Sequence, residues 1–274
     1  RRKAAPRQVL VGLELVGTEP AAHGNCVHVG RAQVGLVAGD LDAQEALGRM
    51  YFFGQGVTQD YAQAAVWNRK AADAGRPFPQ YLMGFMYDYG RGIQQDQAEA
   101  AKWYKKAADQ GEPRAMAGLG YLHAQGKGVQ KDDKEALKLY LAAAEKGDTS
   151  VFPLLGYAYY EGHGTDKNAA EASKWFRKGA ETGDANSQYM LGYLLEQAKN
   201  PTEAAKWYQK AAEQGLVPAH ESLGALYFAG EGVTRDYAQA LKWYTKPAEG
   251  GNTYAQYLLG YLYEGRDGVP LHRP

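Results

Sequence analysis

Apolar positions along this chain recur with a long period. A Leu-Gly or Met-Gly pair, with an aliphatic and an aromatic residue close behind it, appears as LGRMY, MGFMY, LGYLH, LGYAY, LGYLL, LGALY and LGYLY. The glycines are Gly48, Gly84, Gly120, Gly156, Gly192, Gly224 and Gly260, separated by 36, 36, 36, 36, 32 and 36 residues. Flanking apolar residues follow helical spacing: with each glycine at zero and about 100° per residue, offsets −5, −2, −1 and +2 gather on one face and are small or aliphatic. That face predicts a core side, and the phrase predicts the first helix of a repeated unit.

A second helix follows in each unit. It opens with Asp or Asn and carries Glu or Gln three residues later: Asp60/Gln63, Asp96/Glu99, Asp132/Glu135, Asn168/Glu171, Asn200/Glu203 and Asp236/Gln239. Six such pairs in register predict capping boxes, whose side chains reciprocally satisfy amides of the first turn. Glycines 75, 111, 147, 183, 215 and 251 mark where these helices stop, because glycine takes the left-handed conformation that ends a helix. The two helices are joined by GQGV, GRGI, GKGV or GEGV, whereas the fifth unit substitutes the shorter EQAKN.

One helix pair cannot bury its apolar face, but stacked pairs can. The prediction is an all-α solenoid of helix-turn-helix repeats of 36 residues, six full repeats plus a seventh first helix. A glycine inside a helix costs about 1 kcal/mol against alanine; the expected return is close approach of a neighbouring backbone. Trp67, Trp103, Trp175, Trp207 and Trp243 stand 19 residues after such a glycine, or 15 in the short repeat, with Leu139 in the remaining slot. Alanines flank them at fixed offsets, so they are read as core. Lys102, Lys174, Lys206 and Lys242 are expected on a solvated outer face, and Pro247 is expected to kink the last second helix.

Residues 41–269 carry the repeats, and 270–274 are read as a tail. Residues 1–40 fit poorly, although Gly12 and Gly39 are in phase. They read as a degenerate N-terminal cap or as a disordered or export-related segment. Their basic opening and short apolar run loosely resemble a secretory signal, interrupted by Glu14. This leans the compartment toward periplasmic or secreted, with a cytoplasmic setting left open.

Charge narrows the function. Formal net charge is zero with a pI near 7.2, so the chain lacks the field that draws in nucleic acid. Cys26 is the only cysteine, which leaves no internal disulfide and no cysteine-based metal cluster. Nothing in the sequence is apolar for long enough to span a bilayer.

No nucleophile elbow, Ser-x-x-Lys, His-Glu-x-x-His or phosphate loop is present. His123 occupies a slot that mostly carries Tyr, His163 lies in a turn, and His220 is near a helix start; none has a partner at metal-ligand spacing. The chain is therefore read as a non-enzyme with no cofactor, no metal and no catalytic residue.

The combination of LGxLY, GxGV, D-x-x-(E/Q)-A-x-K-W and A-A-x-x-G resembles the bacterial Sel-like repeat proteins, a branch of the tetratricopeptide-like α-solenoids. The resemblance implies a right-handed α/α superhelix whose first helices line the concave side. It also implies an adaptor or scaffold that gathers other proteins, often exported and in some cases host-interacting. One cysteine-rich branch of that family is associated with β-lactam binding. This chain has no cysteine in any repeat, so a β-lactam-binding or hydrolase activity is kept only as an alternative.

Offsets −3, +1 and +4 of the first helices form a second stripe with an aromatic bias: Tyr81, Phe85, Tyr121, Tyr157, Tyr160, Tyr189, Tyr193, Phe228, Tyr257 and Tyr261. Tyrosine offers apolar area plus a hydroxyl, so the stripe is the candidate binding face for a protein or peptide, or a glycan. The opposing reading is that these rings pack between adjacent first helices. Self-association through the uncapped C-terminal end is a further expectation.

Overall fold

The computed structural model describes residues 40–264. The expectations for Gly12, Gly39, Cys26 and Glu14, and for the tail, lie outside the described residues. Among the described residues all regular structure is helical, with no strand.

Two compact units divide between Gln110 and Gly111. The first contains α1 (Leu41–Phe53), α2 (Tyr61–Asp73), α3 (Pro77–Tyr89) and α4 (Gln97–Asp109). The second contains α5 (Pro113–Gln125), α6 (Asp133–Glu145), α7 (Phe152–Glu161, preceded by a 3-10 turn at Thr149–Val151) and α8 (Ala169–Glu181). It continues with α9 (Ala185–Gln197), α10 (Pro201–Glu213), α11 (Val217–Ala229), α12 (Tyr237–Glu249) and α13 (Thr253–Tyr263). Odd-numbered helices carry the Leu-Gly phrase. Within each unit every odd helix packs on the even helix after it, which packs in turn on the next odd one.

The caps form, but not as reciprocal boxes. Asp60, Asp132, Asn168 and Asp236 each accept from the amides two and three residues on; Asp96 and Asn200 accept from Glu99 and Glu203. The amide of the capping residue does not turn to the Glu or Gln side chain. It donates to a main-chain carbonyl in the last turn of the preceding odd helix: Asp60 to Tyr51, Asp96 to Tyr87, Asp132 to His123, Asn168 to Tyr159, Asn200 to Leu195 and Asp236 to Tyr227, at 2.8–3.0 Å. This bond folds each helix pair into a hairpin, including the pair with the shortened turn. The freed carboxylates take cations instead, as where Glu99 and Glu135 receive Lys102 and Lys138 at 2.9 and 3.2 Å.

Neighbouring backbone comes near two of the helix-interior glycines, Gly48 (Asn68 N, 3.1 Å) and Gly120 (Ala136 O, 3.3 Å), but the closest approach at five of the seven is a ring, and not that of the tryptophan. A β-carbon on Gly84 would lie 2.5 Å from Cδ1 of Tyr104, and Gly120, Gly156 and Gly192 face Tyr140, Phe176 and Tyr208 at 2.8, 2.5 and 2.7 Å. Gly224 faces Tyr244 at 3.1 Å. Each of these aromatics directly follows the tryptophan slot and belongs to the same repeat. Tyr104, Phe176, Tyr208 and Tyr244 are among the largest fully buried side chains. In the first repeat the slot holds Asn68, completely buried against Gly48. Gly260 meets nothing within 4 Å.

The tryptophans divide. Trp103 and Trp243 are buried, whereas Trp67, Trp175 and Trp207 are half-buried. A lysine one turn later lies over the indole face in four repeats: Lys70, Lys106, Lys178 and Lys210 stand 4.1, 3.9, 4.1 and 4.2 Å from the ring of Trp67, Trp103, Trp175 and Trp207. Such cation–π pairs contribute about 0.5–1 kcal/mol at exposed sites. These tryptophans therefore sit at the boundary between core and solvent.

Neighbouring backbone comes closest to glycine in the turns. A β-carbon on Gly92 would meet the Tyr61 carbonyl at 2.3 Å, one on Gly164 the Asp133 carbonyl at 2.1 Å, and one on Gly232 the Pro201 carbonyl carbon at 2.3 Å. Each contact joins one repeat's turn to the start of the preceding repeat's second helix. A glutamine clamp adds to it. Gln80, Gln188 and Gln256 each donate to a last-turn carbonyl of the preceding even helix, on Ala72, Ala180 and Ala248, at 3.0, 3.2 and 3.0 Å. Each of these carbonyls also accepts the amide of the glycine that ends the helix, Gly75, Gly183 or Gly251, at 3.0–3.1 Å. Pro247 leaves α12 continuous through Glu249; the proline sits in the last turn, where it deletes a single hydrogen bond.

Candidate functional site

The aromatic stripe lies on the odd helices and is mostly self-packed. In the first unit Tyr81 is buried and stacks on Tyr104 with centroids 6.1 Å apart. Phe85 is half-buried between Phe52, at 5.6 Å, and Tyr89, at 4.5 Å. In the second unit Tyr121, Tyr157, Tyr160, Tyr189, Tyr193, Phe228 and Tyr261 are all half-buried. Tyr257 is the outlier at 66% exposed, beside Tyr254 at 62% and Tyr263 at 58%.

A single register explains the ring contacts. The residue four after one repeat's glycine meets the residue one after the next repeat's glycine. Phe52 meets Phe85 at 5.6 Å, Tyr160 meets Tyr193 at 6.3 Å and Phe228 meets Tyr261 at 6.1 Å, all edge-to-face. Between these rungs, Tyr157 and Tyr189 lean on the knobs Phe176 and Tyr208 at 5.1 and 5.6 Å. One side of each ring is thus fixed by packing while the other stays partly open, so the row is pre-organised and little rotamer entropy remains to be lost on binding.

The hydroxyls of Tyr157, Tyr160 and Tyr189 stay protonated. Burial pushes Tyr157 up to about 12, and burial with a hydrogen bond to Tyr193 pushes Tyr160 up to about 12. Burial raises Tyr189 in the same sense. Tyr208 donates from its hydroxyl to Glu196 at 2.8 Å, placing a carboxylate on this face. The row therefore presents neutral donors and acceptors on apolar rings, a surface suited to holding polypeptide.

The histidines are dispersed. His123 Nδ1 lies 3.3 Å from the Gln130 carbonyl and His163 lies 3.4 Å from Glu161. His220 fills the clamp position held elsewhere by glutamine, edge-on to Trp243 at 5.3 Å. Among the described residues no cluster of His, Cys, Asp and Glu is arranged to hold a metal ion, and no helix is long and apolar enough to cross a membrane.

Glycine-notched helix hairpins, capped in phase and repeated along the chain, define an α-solenoid repeat protein. The chain belongs to the Sel1 repeat family, which it matches over residues 41–75, 80–112, 113–148, 154–184, 185–216, 217–252 and 253–271. Sel1 repeats are commonly protein-interaction scaffolds. A protective antigen present in uropathogenic Escherichia coli strains, displaying an SLR fold, is 37% identical with a TM-score of 0.80, over 88% of this chain and 53% of that one. A Sel1 repeat protein from Oxalobacter formigenes is 33% identical with a TM-score of 0.64, over 76% of this chain and 84% of that one. A trimethylamine-oxide aldolase of Ruegeria pomeroyi is 49% identical over 41 residues, which are 15% of this chain and 5% of that protein. The chain thus spans about half the length of the antigen and a short stretch of the aldolase.

Proposed function

We propose that this protein is an interaction scaffold that holds a protein or peptide partner against the aromatic face of its odd helices. The observation that carries the reading is the fixed rung pattern of the second unit, Tyr160 on Tyr193 and Phe228 on Tyr261, with Tyr257 exposed beside it. Half-buried tyrosines held by their neighbours are the side chains that anchor protein interfaces. The likeness to a protective antigen supports an exported or host-interacting setting for that partner.

Site-specific photocrosslinking tests it. A benzophenone amino acid at Tyr193 or Tyr257 should trap a partner that the same probe at Lys174, on an even helix, does not. Replacing Tyr257 with Ser should then weaken the identified complex roughly tenfold or more without lowering the melting temperature. Equal trapping from Lys174, or a complex indifferent to both tyrosines, would refute the assignment to this face.

A further inference from the structure

A groove of about 680 Å³ opens on the other side of the second unit, between α10 and α12. At the preceding pair of even helices, α8 and α10, an ion pair straps the two together: Arg177 donates from Nη1 to Glu203 Oε1 at 2.9 Å. Arg177 stands two residues after Trp175, and Glu203 four before Trp207. In the next repeat the same two positions are Gln209 and Gln239, and both line the groove. Gln209 turns along its own helix to Glu213 at 2.8 Å instead of crossing.

The lining selects the ligand class. Glu213 and Asp236 balance Arg235 and Lys242, so no charged polymer is favoured. Arg235 is committed to the Ala229 carbonyl at 3.2 Å, and Asp236 caps α12. Beside the Thr234 hydroxyl, the groups that can adapt are the Gln239 carboxamide and, on Gln209, the carbonyl oxygen and the second N–H not given to Glu213. A carboxamide carries a donor and an acceptor side by side, which matches the one N–H and one C=O of each peptide unit. A sugar would need an open aromatic face: Trp243 is 7% exposed, with Lys242 over its ring at 4.9 Å and His220 against its edge, and Tyr227, the other aromatic of the lining, is half-buried and packed against the core.

We propose that the groove between α10 and α12 is a second binding site, for an extended, uncharged peptide segment, held by paired hydrogen bonds from the Gln209 and Gln239 carboxamides. This site is separate from the aromatic face and does not rest on it.

The test screens the whole purified chain against an array of short neutral peptides and, in parallel, an array of neutral oligosaccharides. Neutral peptides should be retained. The double variant Q209R/Q239E installs the strap already present between α8 and α10 and should lower peptide affinity roughly tenfold or more. Lys174→Ala, exposed on α8 outside the groove, should leave it unchanged, and any peptide whose retention Tyr257→Ser abolishes belongs to the aromatic face. If the double variant does not fold, Gln239→Ala takes its place and should also lose binding. Retention of oligosaccharides without peptides, peptide binding insensitive to these glutamines, or no peptide retained at all would overturn the proposal. Loss of binding in Tyr257→Ser alone would overturn this site while leaving the aromatic face intact.

Discussion

The Tyr104 ring occupies the space that a side chain on Gly84 would need, with Cδ1 2.5 Å from the position of the missing β-carbon. The ring is itself fully buried, so it has no direction in which to retreat. Gly84→Ala should therefore destabilise the protein by about 1–3 kcal/mol through overpacking, although alanine is the better helix former. Gly260→Ala is the control: among the described residues nothing lies within 4 Å of its added methyl, and helix propensity alone should stabilise by up to about 1 kcal/mol. Urea unfolding midpoints of opposite sign for the two variants would establish the notch.

Gly232 should be less forgiving. Its φ is 72°, and an added β-carbon would lie 2.3 Å from the Pro201 carbonyl carbon. A side chain there meets both left-handed backbone strain of about 1–2 kcal/mol and a main-chain obstacle that cannot rotate away. Gly232→Ala should lower the melting temperature further than Gly84→Ala does, and amide exchange should accelerate at the start of α10.

Asn68 is the weak knob. It is fully buried, and neither its amide nitrogen nor its carbonyl oxygen has a hydrogen-bond partner. A buried polar group left unsatisfied costs about 1–3 kcal/mol. Leucine has nearly the same shape, so Asn68→Leu should raise stability by about 1 kcal/mol or more, read as a higher urea midpoint with an unchanged m-value.

His220 gives the protein an acid-sensitive contact. Burial lowers its pKa below 6.5, and the Lys246 ammonium lowers it further, against the opposing pull of the Ala212 and Trp243 carbonyls. Those carbonyls lie near the ring without completing a hydrogen bond to it. The folded state therefore takes up this proton less readily than the unfolded chain. Above pH 6.5 both are neutral and the residue contributes no pH dependence; as pH falls below 6.5 the unfolded chain is protonated first and stability declines. His220→Gln restores the clamp residue of the neighbouring repeats and should remove that component. The stability difference between variant and wild type should widen from pH 7.5 to pH 5.5.

The repeat, its period and its helix boundaries were legible because they rest on local chemistry: capping residues, left-handed glycines and helical spacing are written within a few residues of where they act. Partner identity was less legible. Helical spacing leaves an approaching backbone as the expected occupant of the glycine notch. The residue after the tryptophan slot fills it instead, as Tyr, Phe or Asn, and in α2, α8 and α10 the indole one position earlier lies half-buried under its lysine. The second turn glycine is legible only as part of the GQGV-type joint, and the three-dimensional contact with Tyr61, Asp133 or Pro201 reveals it as a point of assembly. The Gln80, Gln188 and Gln256 clamp could have been found, since all three stand four residues before the phrase glycine. The aromatic stripe was visible as a bias in composition; its rung register depends on adjacent repeats and leaves no mark in any one of them.

Gly92, Gly164 and Gly232 meet main chain rather than side chains, so these three contacts do not depend on which outer residues the adjoining repeats carry. The outer residues can change without redesigning them, whereas the shortened fifth turn, EQAKN, carries no such glycine. Diversity of partners can then accumulate on the outer residues of each repeat while these three joints stay constant.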